Sequence, residues 1–230
     1  MKIRWYGQSA FLLEGDEHTV AIDPFGDLGG TWPGMLRFAY PPIEGVEADL
    51  LLITHEHIDH NNAAAIEGTP ALVRSTAGTF QTPVGDVRAI ASEHDPVAGT
   101  ERGRNTIFVF ELDGLRVCHM GDFGQSSLRP EQIAAIGSVD LLFVPVGGGA
   151  TIDGRAAAEV VSLLDPRWVI PMHYRTEAVD FLDGPEDFVD AFPDDTVRRT
   201  DMPSFELSDS ADPRGRPTVM MPPAPAPLAV

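Results

Sequence analysis

The six consecutive residues His55-Glu56-His57-Ile58-Asp59-His60 constrain this chain more than any other stretch. They close the run Asp49-Leu50-Leu51-Leu52-Ile53-Thr54, whose four central apolar residues read as a strand buried on both faces. The chain holds 7 His among 230 residues, so three within six positions point to a metal-binding cluster rather than a solvated polar loop. Imidazole is the commonest metal-binding side chain, and carboxylate is the next choice for zinc, manganese or iron. In extended backbone, residues two apart point the same way, so His55, His57 and Asp59 share one face. A turn after Asp59 would bring His60 back to the same space.

The rest of the composition bounds what such a site can serve. A length of 230 residues suits one core, and 43% apolar with 22% charged residues is ordinary for a globular protein. A net charge of −19 opposes the phosphates of nucleic acid and argues against anionic membrane surfaces. A small soluble substrate remains, even an anionic one, because a metal and a few arginines can invert the field inside a cleft. The single cysteine, Cys118, sits in an apolar run and reads as core, so no intrachain disulfide is expected. No stretch approaches the roughly 18 apolar residues of a membrane span. Residues 1–6 lack the apolar centre of an export signal, so a cytoplasmic location is expected, compatible with a homo-oligomer.

Along the chain, residues 2–6, 10–14 and 19–22 read as strands, the first two joined at Gly7-Gln8-Ser9 and the third ending at Asp23-Pro24. Asp23 at a strand end is placed to buttress a ligating histidine. Residues 25–46, rich in Gly, Pro and aromatics, read as a long loop forming a wall or lid of the cleft. A short helix is expected over 61–66, strands over 71–73 and 87–91, and a hairpin of 105–111 with 115–120 around Asp113-Gly114. Helices are expected at 130–136, 153–164 and 185–192, and strands at 140–145, 168–172 and 204–207. The Pro-rich residues 208–230 read as a flexible or loosely docked tail, unable to form regular ladders. His94, Asp122 and His173 each follow a strand, so they can converge with the 55–60 cluster at one sheet edge. His119 competes with His94, but it lies within its strand. Tyr174 and Arg175, directly after His173, read as contacts for substrate oxygens, and Gly147-Gly148-Gly149 offers close backbone approach to an anion.

Residues 54–60 resemble the H-x-H-x-D-H signature of the metallo-β-lactamase superfamily. His94, Gly121-Asp122 and His173 follow in that family's order. Gly7-Gln8-Ser9-Ala10-Phe11-Leu12-Leu13 and Ile22-Asp23-Pro24 resemble the branch of ascorbate-6-phosphate lactonase and related metal-dependent hydrolases. The resemblance implies an α/β fold: a four-layer αβ/βα sandwich of two mixed β-sheets flanked by helices, over residues 1–207. It implies one divalent ion on His55, His57 and His94, a second on Asp59, His60 and His173, and Asp122 bridging both. Zinc is the first choice, with manganese or iron as alternatives. The implied chemistry is hydrolysis of an ester-like bond by a metal-bridging hydroxide, lactone first and phosphodiester second, with Asp59 and Asp122 catalytic. An iron-dependent oxidoreductase of the same fold and a catalytically silent metal-binding module are the rival readings.

Overall fold

A computed structural model describes residues 1–26, 28, 31–32, 36–207 and 215–228, with backbone only at 31, 32 and 36. Two mixed β-sheets enclose a shared apolar core. The first has the order Ser204–Glu206, Lys2–Gly7, Ala10–Glu14, Thr19–Ile22, Leu50–Ile53, Ala71–Arg74. Its first three pairings are antiparallel and its last two parallel. The second has the order Gly78–Thr82, Gly85–Glu93, Arg104–Leu112, Leu115–His119, Leu141–Pro145, Trp168–Met172, Thr218–Met221, Val197–Arg199. It is antiparallel as far as Leu115–His119 and parallel from there on.

Side-chain alternation explains why the first sheet's strands are so apolar. Phe11, Leu13, Leu50 and Leu52 enter the core between the sheets, where Phe11 meets Phe143 of the second sheet with ring centroids 4.6 Å apart. Their neighbours Leu12, Leu51 and Ile53 pack on the opposite face beneath Phe25, Phe38, Tyr40 and Leu182. Each such large apolar side chain, taken from water, contributes about 2 kcal/mol. The second sheet is backed by helix Gly154–Leu164, whose Ala157, Val160, Val161 and Leu164 are buried. Asp153 caps that helix by accepting from the Ala156 N–H at 2.9 Å.

Several expectations change. Residues 61–66 form only the short 3-10 turn Ala63–Ala65, because Ile66 is drawn into parallel pairing with Val46. Residues 185–192 reduce to the single turn Glu186–Val189. Strands Gly78–Thr82 and Val197–Arg199 lack the apolar alternation that would announce them. In the 25–46 loop, the described aromatics Phe25, Phe38 and Tyr40 are buried under the first sheet as a packed layer. The rest of that expectation, at 27, 29–30 and 33–35, lies outside the described residues.

The Pro-rich tail does form a ladder. Thr218–Met221 inserts between Trp168–Met172 and Val197–Arg199, with Val219 fully buried. Pro217 and Pro222 bracket that strand instead of interrupting it, which is where a sheet tolerates proline. Residues 208–214 and 229–230 of the tail lie outside the described residues. Among the described residues, no helix is long and apolar enough to cross a membrane.

Candidate metal centre

Five strands end at one edge of the sandwich, and each delivers part of a single cluster. Thr19–Ile22 leads to Asp23, Leu50–Ile53 to residues 54–60, Gly85–Glu93 to His94, Leu115–His119 to Asp122, and Trp168–Met172 to His173. Among the described residues three groups of three could each hold a metal ion: His55, His57 and His94; Asp59, His60 and His173; and Asp23, His55 and His60, which shares a histidine with each of the other two. Asp122 lies between the first two. Its Oδ2 is 3.1 Å from Nε2 of His94, 3.1 Å from Nε2 of His173, 3.3 Å from Nε2 of His60 and 3.8 Å from Nε2 of His55. Nε2 of His55 and Nδ1 of His57 are 3.0 Å apart, so both turn lone pairs toward one point.

Neighbouring groups set which nitrogens are free. Asp23 is fully buried and accepts from the Thr54 N–H at 2.7 Å and the Thr54 hydroxyl at 2.6 Å. Its Oδ2 also lies 3.1 Å from His60 Nδ1, which therefore carries the proton and leaves Nε2 as a lone-pair donor. The Thr54 hydroxyl has given its only proton to Asp23. His55 Nδ1, 3.0 Å from that oxygen, must then donate, freeing His55 Nε2 as well. His60 Nε2 is buried without a hydrogen-bond partner, facing Asp59 at 3.3 Å and Asp122 at 3.3 Å. A buried orphan nitrogen ringed by carboxylates fits a metal ion, and the N/O donor set suits zinc, manganese or iron.

The electrostatics divide the cluster. Burial, with His60 close by, holds His55 well below the ordinary histidine range, and burial also lowers His57. Burial acts against the charged form of His60 too, but the Asp122 and Asp59 carboxylates outweigh it and raise His60 well above that range. His94 is raised in the same way, by Asp122 against burial. Burial opposes ionisation of Asp122, yet His173 and His60 hold its carboxyl well below the usual range. Bound cations would take the place of those protons on the ring nitrogens.

The backbone is shaped to suit. Asp23, His173 and Gln8 have left-handed φ values of 48°, 51° and 47°, a conformation that costs about 1–2 kcal/mol in a residue with a Cβ. Gly121 has φ 56°, and a Cβ there would lie 2.8 Å from Thr54, so the turn presenting Asp122 needs glycine. Asp122 N–H donates to Asn105 Oδ1 at 3.0 Å, and Asn105 is itself held by Ser92 Oγ and the Met120 carbonyl, both at 2.8 Å.

The structure gathers His55, His57, Asp59, His60, His94, Asp122 and His173, with Asp23 behind them. It leaves His119 outside, where Nε2 donates to the Ser9 carbonyl at 3.1 Å and Nδ1 accepts from the Gly121 N–H at 3.2 Å. Tyr174 and Arg175 do not meet the substrate-contact expectation. Tyr174 is buried against Trp5 with ring centroids 5.4 Å apart, and burial raises its pKa. Arg175 is exposed and does not line the cleft, and its backbone N–H donates to the Asp183 carbonyl at 2.9 Å. Of the glycine run, Gly149 lines the cleft, while Gly147 faces the chain itself, since a Cβ there would strike the His173 carbonyl. Three contributors were not singled out by the sequence reading. Ser9 donates to Asp122 Oδ1 at 3.1 Å, Gln8 Nε2 lies 3.4 Å from Asp59 Oδ2, and Arg102 lines the cleft above the cluster. A polar Gly7-Gln8-Ser9 between two apolar strands was the available signal for the first two. The cleft measures about 630 Å³, with Ile58, Ala150, Phe181 and Leu182 as its apolar wall.

Comparison with known proteins gives the family. The model of the beta-lactamase superfamily domain matches residues 2–173. A UPF0173 metal-dependent hydrolase of Thermococcus kodakarensis is 33% identical over 202 residues, covering 76% of this chain and 85% of that protein. One of Archaeoglobus fulgidus is 33% identical over 216 residues, covering 82% and 89%. The crystal structure of a Thermotoga maritima protein of the metallo-β-lactamase superfamily superposes with a TM-score of 0.76 at 32% identity, covering 96% of this chain and 98% of that one. With the two mixed sheets and the ligand-bearing strand ends, these matches identify the chain as a member of the metallo-β-lactamase superfamily, among its metal-dependent hydrolases.

Proposed function

We propose that the chain holds two divalent metal ions, zinc first and manganese or iron as alternatives, and hydrolyses an ester-like bond of a small soluble substrate. The observation that carries this reading is Asp122 Oδ2, within 3.1–3.8 Å of imidazole nitrogens from both the His55, His57 and His94 group and the Asp59, His60 and His173 group. A carboxylate can join two ions, whereas a neutral imidazole has one free lone pair. When bound, the ions would supply Lewis acidity toward the substrate and bring the pKa of a water toward about 7. The chain's own residues do the rest. Asp23 and Thr54 fix the tautomers of His60 and His55, Ser9 and Asn105 hold Asp122, and Asp59 offers a carboxylate oxygen at the cleft floor to take up a proton. Ile58, Phe181 and Leu182 give the cleft an apolar wall beside the candidate ligands.

A lactone is the first substrate class and a phosphodiester the second, and that preference rests on the resemblance of residues 7–13 and 22–24 to the lactonase branch. Metal analysis of purified protein, followed by a panel of lactones and phosphodiesters assayed on the loaded form, tests the reading. Two equivalents of zinc or manganese with lactone turnover are expected. Stoichiometric iron with oxygen consumption and no hydrolysis would overturn it.

A further inference from the structure

We infer that Arg102 is an anion-recognising residue of the cleft, and that the substrate joins a carboxylate or phosphate to an apolar portion; this rests on the proposed hydrolytic site. Among the described lining residues Arg102 is the only lysine or arginine, and its guanidinium forms no hydrogen bond or ion pair with other described residues. In a chain of net charge −19, such a cation at the cleft mouth is a local exception. Glu56, also at the mouth, does not neutralise it, because that carboxylate is held by Arg74 at 2.6 and 2.9 Å and by Ser75 at 2.7 Å.

The loop that carries Arg102 is built to hold it there. Asp95, next to His94, is 2% exposed and accepts four backbone N–H groups: Val97 at 2.9 Å, Gly99 at 2.8 Å, Glu101 at 3.0 Å and Arg102 itself at 2.8 Å. Gly99 and Gly103 take left-handed φ values of 74° and 94°, and the His94 N–H closes the loop on the Gly103 carbonyl at 3.1 Å. The loop is thus pinned to the same strand end as His94, which ties the cation's reach to the centre. Ile58, Phe181 and Leu182 supply the apolar surface of the same cleft. A guanidinium fork matches carboxylate and phosphate oxygens equally well in charge and geometry, so both remain in the class.

The test is calorimetric binding of three probes of one shape, 4-phenylbutyrate, 4-phenylbutyl phosphate and the neutral 4-phenylbutanamide, to metal-loaded and metal-stripped protein. Wild-type protein should bind at least one acid about tenfold more tightly than the amide. Arg102→Gln should remove that preference in both forms, Arg102→Lys should keep part of it, and Arg175→Gln should leave it unchanged. Which acid loses more with Arg102→Gln identifies carboxylate or phosphate as the recognised group. Equal binding of acid and amide, an acid preference that survives Arg102→Gln, or no binding of any probe up to about 10 mM overturns the inference. A protein that takes up no metal yet keeps the Arg102-dependent preference would sink the hydrolytic reading and leave this one standing.

Discussion

The chain leaves the candidate metal centre through a histidine at a strand end twice on the second sheet, and the two exits are built differently. After His94 the backbone wraps around the Asp95 carboxylate and returns Arg102 to the cleft. After His173, whose φ is left-handed at 51°, Tyr174 is buried on Trp5 and Arg175 is exposed outside the residues that line the cleft. Only at Phe181 and Leu182 does the second exit rejoin the cleft, and there it brings apolar surface. Nearness in sequence to one of these histidines therefore does not decide which side chain lines the cleft: Arg102, eight positions after His94, does, and Arg175, two after His173, does not.

Changes at either exit should break this contrast by different amounts. The largest effect belongs to the residue both exits converge on. Asp122→Asn should lower hydrolysis on the order of a hundredfold or more and reduce bound metal, read by metal analysis and steady-state kinetics. On the His173 side, Gly147→Ala would drive a methyl into the His173 carbonyl and should cost about 3 kcal/mol in denaturant unfolding. Gly149→Ala, with open space around it and φ 55°, should cost about 1–2 kcal/mol, from backbone strain alone. On the His94 side, Asp95→Ala strands four N–H donors and should cost about 2 kcal/mol while weakening Arg102-dependent anion binding.

Acid provides the mildest probes. His60 and His94 are held above the ordinary histidine range by Asp122, and a metal needs their unprotonated nitrogens. Metal affinity should therefore fall as pH drops through that raised range and level off above it, which titration with a chelator-buffered metal would show. Glu56 is the smallest case. Its contact with Arg74 holds its pKa at about 2, so the pair stabilises the fold above the unfolded carboxyl's range near 4.5 and loses that contribution as pH falls toward 2. Both partners are largely exposed, so Glu56→Gln should cost no more than about 1 kcal/mol at neutral pH.

The elements that local pattern identified are those whose side chains face apolar surroundings on both sides or alternate cleanly. The run 50–53, the hairpin of Arg104–Leu112 with Leu115–His119, and helix Gly154–Leu164 belong here. Thr218–Met221 was missed because proline content is a local signal, whereas a four-residue strand exists only because two neighbours offer it N–H and C=O partners. Gln8 and Ser9 were missed for a related reason: they act on Asp59 and Asp122, 51 and 113 positions away in the chain.

By itself the sequence determined which residues could serve as donors. The residue types at 55–60, and the placing of His94, Asp122 and His173 after apolar strands, follow from local chemistry, because only imidazole and carboxylate at strand ends can supply such a set. Tertiary structure alone decided how those donors are oriented and what stands over them. Asp23 sets tautomers through hydrogen bonds from Thr54 and His60, Gly121 yields space to Thr54, and Asp95 lifts Arg102 into the cleft. Each of these depends on atoms brought within hydrogen-bond or contact distance from separate parts of the backbone. The spacing of residues along the chain does not encode such distances until the two sheets have closed on their core.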